Sequence, residues 1–532
     1  MKKHTLFKCL FSLLSGALAA LPLVIDKIPF LSFFLFIPYV FFLFTLGKEV
    51  RLRFYYLSGL FFFFGYYACA FSFFAAMYPL DFAGLGTMES IAVLFAAMVL
   101  LPLFQAWFSA FSVLFFGLFK RCGRLRFPLA EALVFSALFT LFAYMQNFTW
   151  AGVPWGNTAV GLASSPLLLQ SASLFGTSFL VFLILFCNTA LVEGYLFFRD
   201  CKDKKALVCL LSAVFLLSSH LLFGVVRLST ANVGEDTLTV AVLQGNAPAT
   251  ENTYLNAHLR TCRYEARAAA READVDLMLW SESVLTYALQ SDEIARDFFA
   301  GVAIETGAMQ VVGAFSSEKT PEGEKGYYNS LFLFYPDGSM DEVSYKKRRP
   351  VPFGEYVPMP WLFETVIPAL TEISMLSRNT TPGNAPEIFQ TEKGNFGGLI
   401  CFDSIYPSLA RESAKAGAEV FLLSTDDSWF DGSFGKSLHF RHAVLRAVEC
   451  KKAVVRTGNT GLSGVIDAYG RTQTEIPPDE IGHGVSSLAK NGDATLYTVV
   501  GDVFPLSLLF FLLLLPLPFE KCKGRKHLSL KG

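Results

Sequence analysis

Three residues set far apart in the chain have side-chain types suited to covalent acyl chemistry. Cys401 closes the apolar run Gly397-Gly398-Leu399-Ile400, just before a turn into a helix that begins near Tyr406. The two glycines permit close packing, and a strand end presents its side chain at the sheet edge. Amides at a helix start favour a thiolate, so a cysteine here can act as a nucleophile. The same residue can equally be buried packing. Glu282 ends a second apolar run, Leu279-Trp280-Ser281. A carboxylate desolvated beside Trp has its pKa raised toward the range of a general base, although on its own it reads as readily as a surface carboxylate. Lys347 lies within four consecutive bases, Lys346 to Arg349, followed by Pro350-Val351-Pro352-Phe353-Gly354-Glu355. Such a basic run is ordinarily a solvated face or a headgroup contact; here the prolines and the Phe-Gly-Glu turn predict a fixed loop.

The surrounding pattern supplies elements to hold these residues. Thr237–Gln244 alternates as a strand, 251–273 has the spacing of an amphipathic helix, and Val275–Trp280 is a short run of the buried-strand type. Further strands are predicted at Val311–Phe315, Ser330–Tyr335, Asn395–Phe402, Glu419–Ser424, Ala453–Thr457 and Leu462–Asp467, with helices over 408–417 and 439–452. This alternation predicts a layered α/β domain. It contains only three of the ten cysteines, Cys262, Cys401 and Cys450, at no metal-ligand spacing and in an odd number, so no disulfide framework is implied. His439-x-x-His442 has the form of a metal pair but lacks a third ligand motif nearby, and no metal or cofactor is expected.

The rest of the chain does not face water. Of 532 residues, 53% are hydrophobic, only 17% are charged, and 56 are Phe. Soluble domains carry about 25% charged residues. Apolar runs long enough to cross a ~30 Å hydrocarbon core lie near 9–25, 28–47, 54–76, 90–119, 127–146, 168–198, 206–225 and 503–519. Alternate connectors hold Lys2, Lys3 and Lys8, then Lys48, Arg51 and Arg53, then Lys120 to Arg126, then Arg199 to Lys205, and lastly Lys521 to Lys526. The intervening connectors are nearly bare. By the positive-inside rule the basic set is cytoplasmic, which puts both termini inside and 226–502 outside. The expected domains are a seven-helix membrane part over 1–225, a catalytic domain over 226–502, an eighth span over 503–519 and a basic tail over 520–532. The bare connectors Met77–Phe82 and Trp150–Gly156 mix aromatics with Pro and Gly, as an interfacial belt or as the lining of a lipid entrance. A net charge of −1 gives no reason to expect nucleic acid as a partner.

In combination the motifs are far more specific than they are singly. Glu after a strand Trp, Lys in Tyr-x-Lys-x(4)-Pro-Phe-Gly-Glu, and Cys after Gly-Gly-Leu-Ile resemble, in that order, the Glu-Lys-Cys site of the nitrilase superfamily. Together with the membrane layout, the chain resembles bacterial apolipoprotein N-acyltransferases. The likeness runs through Pro154-Trp155, Gln244-Gly245-Asn246, Val351–Pro358, Cys401-Phe402-Asp403, Asp427-Ser428-Trp429-Phe430, the helix around Arg446 and Glu449, and Arg456–Gly461. It implies an eight-helix membrane bundle carrying an extracytoplasmic αββα sandwich, in a bacterial inner membrane. It also implies a ping-pong transfer from a phospholipid acyl donor to a diacylated apolipoprotein acceptor, with Glu282 as base, Lys347 at the oxyanion and Cys401 as nucleophile. Glu355 matches a second glutamate of the family. Phe402, Asp403 and Trp429 are supporting or substrate positions. The apolar composition of Pro358–Leu376 predicts an arm that touches lipid through Trp361, Leu362 and Phe363, and reads equally as a core-packed helix pair. The chain departs from the family at Ser281, where Pro is common, at Phe402 and Asp403 (Tyr and Glu), at Asp426 (Asn), and at Thr253, where a Trp is usual. The alternative reading is a membrane-tethered nitrilase-like amidase, which has no need of the spans. A transporter or receptor would place ionisable residues at mid-depth, whereas Asp26, Glu89, Glu131 and Glu193 fall near span ends.

Overall fold

The computed structural model describes residues 3–80, 85–122, 125, 127–148, 152–231, 237–247, 255–320, 323–359, 361, 365 and 379–515. Its first part is helical: α1 (Lys3–Ala19), α2 (Ile37–Thr45), α3 (Leu52–Ala70), α4 (Thr87–Arg121), α5 (Ala130–Met145), α6 (Ala172–Arg199) and α7 (Asp203–Ser229). In α1 and α3 small residues let two backbones meet. A Cβ on Gly16 or Gly65 would fall within about 2 Å of a carbonyl oxygen of the facing helix, Phe62 or Leu13. Without that clearance the Phe-rich faces could not interdigitate. On α7 the side chains of Leu207, Leu211, Phe215, Leu222 and Val226 stay exposed. A helix stripe of that kind faces a non-aqueous medium.

Each expected span coincides at least in part with helix. Among the described residues, however, four helical stretches are long and apolar enough to cross a bilayer: Thr5–Val24, Thr87–Arg121, Ala172–Arg199 and Asp203–Ser229. Ala130–Met145 and the last helix, Val503–Leu514, are shorter. At 1.5 Å per residue they reach only about 24 and 18 Å.

The α/β part follows in chain order as β1 (Thr237–Gln244), α8 (Leu255–Glu272), β2 (Leu277–Leu279), β3 (Leu285–Ala288), α9 (Glu293–Thr306), β4 (Met309–Lys319), β5 (Lys325–Phe334), β6 (Met340–Lys346), β7 (Ile388–Thr391) and β8 (Gly394–Ile400). Then come α10 (Pro407–Lys415), β9 (Val420–Thr425), α11 (Gly435–Cys450), β10 (Ala453–Gly458), β11 (Ser463–Ile466), β12 (Thr472–Ile476), β13 (Gly482–Ala489) and α12 (Val503–Leu514). One sheet has the order β13-β1-β2-β4-β5-β6, with β3 on β4; the other has the order β12-β11-β10-β9-β8-β7. The sheets bury Val240, Leu279 and Leu331 of one against Phe396, Leu422 and Val455 of the other. Helices α8 and α9 cover the outer face of the first sheet. Helices α10 and α11 cover the second, and there the core continues without a break into the membrane helices. This is the expected αββα sandwich. Because α11 lies between a sheet and the membrane part, it is buried on nearly every side.

Candidate active site

Strands β2 and β9 run parallel to both neighbours and β8 runs parallel to β9, and Glu282, Cys401 and Asp427 all follow their carboxyl ends. Open α/β sheets bind ligands at that edge. The expected strand through Phe402 stops at Ile400. Cys401 has φ +46°, the left-handed region that a non-glycine residue adopts only when its surroundings hold it there. The Asp403 carboxylate provides that hold. It accepts from the Ile400 amide at 3.1 Å, from the Tyr345 hydroxyl at 2.8 Å and from the Arg349 amide at 2.8 Å. Gly398 makes room for this arrangement, since a Cβ there would meet the Tyr345 ring at 2.4 Å. One buried carboxylate therefore fastens the cysteine elbow to the loop that carries Lys347.

Lys347 Nζ lies 2.8 Å from Glu282 Oε1 and 2.8 Å from Glu355 Oε2, with all three side chains largely out of water. Asn329 on β5 donates to Glu282 Oε1 at 2.8 Å and to Glu355 Oε1 at 3.0 Å, and thereby spans both acids. The second oxygen of Glu282 accepts from the Asp426 amide at 2.9 Å. Burial raises the Glu282 carboxyl above the ordinary range, against the opposing pull of Lys347; the Glu355 and Asp426 charges raise it further. Burial also disfavours the Lys347 ammonium, yet the two carboxylates beside it hold its pKa well above the usual lysine value. The Cys401 thiol is pushed well up, first by burial and then by the Glu282 charge, with Lys347 acting in the opposite sense. At rest the site therefore holds a neutral thiol beside an ion-paired base.

Behind the elbow lies a network that joins three residues the sequence offers only separately. His439 Nε2 is 3.1 Å from the Cys401 carbonyl and 3.0 Å from Ser404 Oγ, while Nδ1 is 2.6 Å from Asp427 Oδ1. Arg456 donates to the other Asp427 oxygen at 2.6 Å. Despite its burial, Asp427 is held down to about 2 by Arg456 and His439. His442, the other half of the supposed metal pair, turns instead to the Trp155 carbonyl at 3.4 Å. Asn329 carried one legible signal, a polar residue beside an apolar strand run. Of the remaining expected positions, Phe402 is buried and packs edge-on against Tyr406. Trp429 is half-buried in the turn Ser428–Phe430 after Asp427, and Trp361 is 69% exposed. Thr253, Leu362, Phe363 and most of the Pro358–Leu376 arm lie outside the described residues. Cys262 and Cys450 are fully buried in helices.

The membrane part closes on the back of this site. Arg446 donates to the Ser404 carbonyl at 3.3 Å and pairs with Glu449 at 2.8 Å; Glu449 in turn accepts from the Thr177 amide of α6 at 2.8 Å. The Trp155 ring lies 5.1 Å from that of His439.

Comparison with known proteins agrees with both halves. Residues 239–489 match the family description carbon-nitrogen hydrolase, and residues 15–190 match apolipoprotein N-acyltransferase N-terminal domain. An apolipoprotein N-acyltransferase from Geobacter metallireducens is 30% identical over 378 residues, covering 70% of each chain. The chain belongs to the apolipoprotein N-acyltransferase family. A second member, from Brucella melitensis, is 30% identical over 404 residues, covering 73% of this chain and 71% of its own. Among solved structures, an amidase from Nesterenkonia sp. AN1 aligns at 18% identity and TM-score 0.38, over 51% of this chain and 97% of its own. As a family member the protein is a membrane-bound acyltransferase of lipoprotein maturation, with a nitrilase-type α/β domain.

Proposed function

We propose that the protein moves an acyl chain from the sn-1 ester of a phospholipid, through a thioester on Cys401, to the α-amine of a diacylglyceryl-cysteine lipoprotein. The observation that carries this reading is Lys347, buried between Glu282 and Glu355 with its charge acting on the Cys401 thiol. Glu282 takes the thiol proton as sulfur attacks the ester carbonyl. Because the proton moves within the site, the net charge there is unchanged, and no new buried charge has to be desolvated. Lys347, with the backbone amide of Phe402, faces the oxyanion. On collapse the C–O bond breaks, and Glu282 returns the proton to the leaving glycerol oxygen, releasing lysophospholipid. The amine then attacks the thioester and yields a proton to Glu282; a C–N bond forms, the C–S bond breaks and the thiol is restored. A thioester is a good acyl donor to an amine, so one hard exchange becomes two easier ones.

Eight crossings, with both termini cytoplasmic and residues 226–502 outside, complete this reading. The basic connectors and the continuous core between α11 and the membrane helices support it. A site backed by membrane helices keeps water from the thioester. The Pro358–Leu376 arm is assigned to lipid contact. The decisive experiment follows two products with purified protein in phospholipid micelles, lysophospholipid and N-acylated lipopeptide. The reading expects equimolar formation of both; hydrolysis of small amides without acyl transfer would point to an amidase instead.

Asp426, an acid where the family often has Asn, supplies a prediction about the base. Its charge raises Glu282, so Asp426→Asn lets Glu282 ionise at lower pH. The acidic limb of kcat/KM then moves to lower pH. An unmoved or upward-shifted limb contradicts Glu282 as base.

A further inference from the structure

Of the four consecutive bases, three are neutralised. Lys346 pairs with Glu318 at 2.6 Å, Lys347 with Glu282 and Glu355, and Arg348 with Glu412. Arg349 has no carboxylate partner among the described residues. Its guanidinium lies over the Tyr406 ring, 5.1 Å from the centroid, and is only half-buried. Its position is nonetheless tightly set. The Arg349 amide is bonded to Asp403, two residues from Cys401, and Tyr406 packs on Phe402 and donates its hydroxyl to the Gly152 carbonyl of the membrane part at 3.4 Å. A cation with no carboxylate partner among the described residues is thus fixed where the α/β domain meets the membrane helices, one aromatic stack from the nucleophile. A second donor stands nearby. Burial pushes the Tyr356 phenol up, against the pull of the Arg349 charge, which keeps it a neutral hydroxyl. The neighbouring Arg348 Nη1 is buried without an acceptor among the described residues.

We propose that Arg349, stacked on Tyr406, is the subsite for the phosphodiester of the acyl donor. A planar guanidinium matches two phosphate oxygens at once, and it binds more strongly in a partly dehydrated setting than in water. The inference rests on the proposed acyl transfer and adds a rule for sorting two lipids at one cysteine. The donor carries a phosphodiester beside its glycerol; the diacylglyceryl acceptor carries none. Arg349 therefore acts in the thioester-forming half-reaction and is idle in the amine-acylating one.

The test uses full-length protein in mixed micelles with a diacyl phosphatidylglycerol, or with p-nitrophenyl palmitate as a phosphate-free ester. Arg349→Gln raises the half-saturating phosphatidylglycerol by about ten- to a hundredfold. It changes use of the neutral ester, and aminolysis of preformed acyl-enzyme by a diacylated lipopeptide, by less than about twofold. Arg349→Lys recovers part of the loss, since a point charge replaces the fork. Equal losses on both esters, or an unchanged half-saturation, overturn the subsite. If inorganic phosphate blocks neutral-ester turnover while Arg349→Gln leaves phosphatidylglycerol saturation unmoved, the position is a free-anion site and the lipid assignment fails. Should the unsubstituted protein release no lysophospholipid at all, the acyl-transfer reading itself fails, and the subsite with it.

Discussion

Replacing Cys401 by alanine abolishes the acyl-enzyme. After incubation with native phospholipid, mass spectrometry of the variant detects no acyl adduct, and turnover falls by about 10⁴-fold or more. The size of the effect follows from the site's design. Asp403, Tyr345 and the left-handed backbone at Cys401 all serve to present one sulfur atom, and no other thiol can substitute for it. Cys262 and Cys450 are enclosed in helices, and burial raises both thiols, to about 12 in each case. Cys262→Ala and Cys450→Ala accordingly keep activity near that of the parent and lose packing and a weak sulfur contact, to His258 and Thr498 respectively, about 1 kcal/mol each. Parent-level turnover in Cys401→Ala would falsify the covalent route.

The second large effect is at Lys347. Lys347→Ala lowers kcat by about 10²- to 10³-fold, as for a lost oxyanion donor, with KM for phospholipid within about twofold. A change confined to KM would contradict the oxyanion assignment. The substitution also removes the cation between two carboxylates whose side chains are only 7% and 11% exposed. Stranding a buried charge in this way costs about 3–5 kcal/mol. The stability loss has a definite pH signature. With no ammonium beside it, Glu282 loses the one charge that opposes its burial, so its folded pKa rises further above the unfolded value of about 4.3. The fold then binds more protons than the unfolded chain, and the variant loses stability as pH rises through the raised value. Thermal unfolding from pH 4 to 8 should therefore show the deficit shrinking toward acid, whereas kcat stays low throughout. A deficit that grows toward acid refutes the coupling.

Much of the architecture was legible because burial in this protein repeats locally. Unbroken Phe-rich runs have no polar face to give to water, and period-two runs such as Thr237–Gln244 form strands with those bounds. Other boundaries depended on partners far along the chain. β8 was expected to run through Phe402. It ends at Ile400 because the Asp403 carboxylate captures the Ile400 amide and forces a turn. The run at 54–76 was expected to be one span, but its regular helix ends at Ala70 and tightens into a 3₁₀ turn over Ser72–Met77. The short strands β7 and β12, four and five residues long, gave too few positions for a hydrophobic period to reveal them, and each lies at the end of the second sheet.

By itself the sequence determined the chemical types and their order: a carboxylate after a strand Trp, a lysine before Pro-Phe-Gly-Glu, a cysteine after Gly-Gly-Leu-Ile, and apolar runs on either side of an α/β stretch. These are local properties, and local patterning dictates them. Only the tertiary structure decided which groups share one desolvated space. Asn329 bridges two acids, the Asp426 amide reaches Glu282 from 144 residues away, and His439 supports the carbonyl of Cys401. Such contacts join strand ends from two sheets and have no sequence period. They arise because buried polar groups must find partners wherever the packed sheets bring them together.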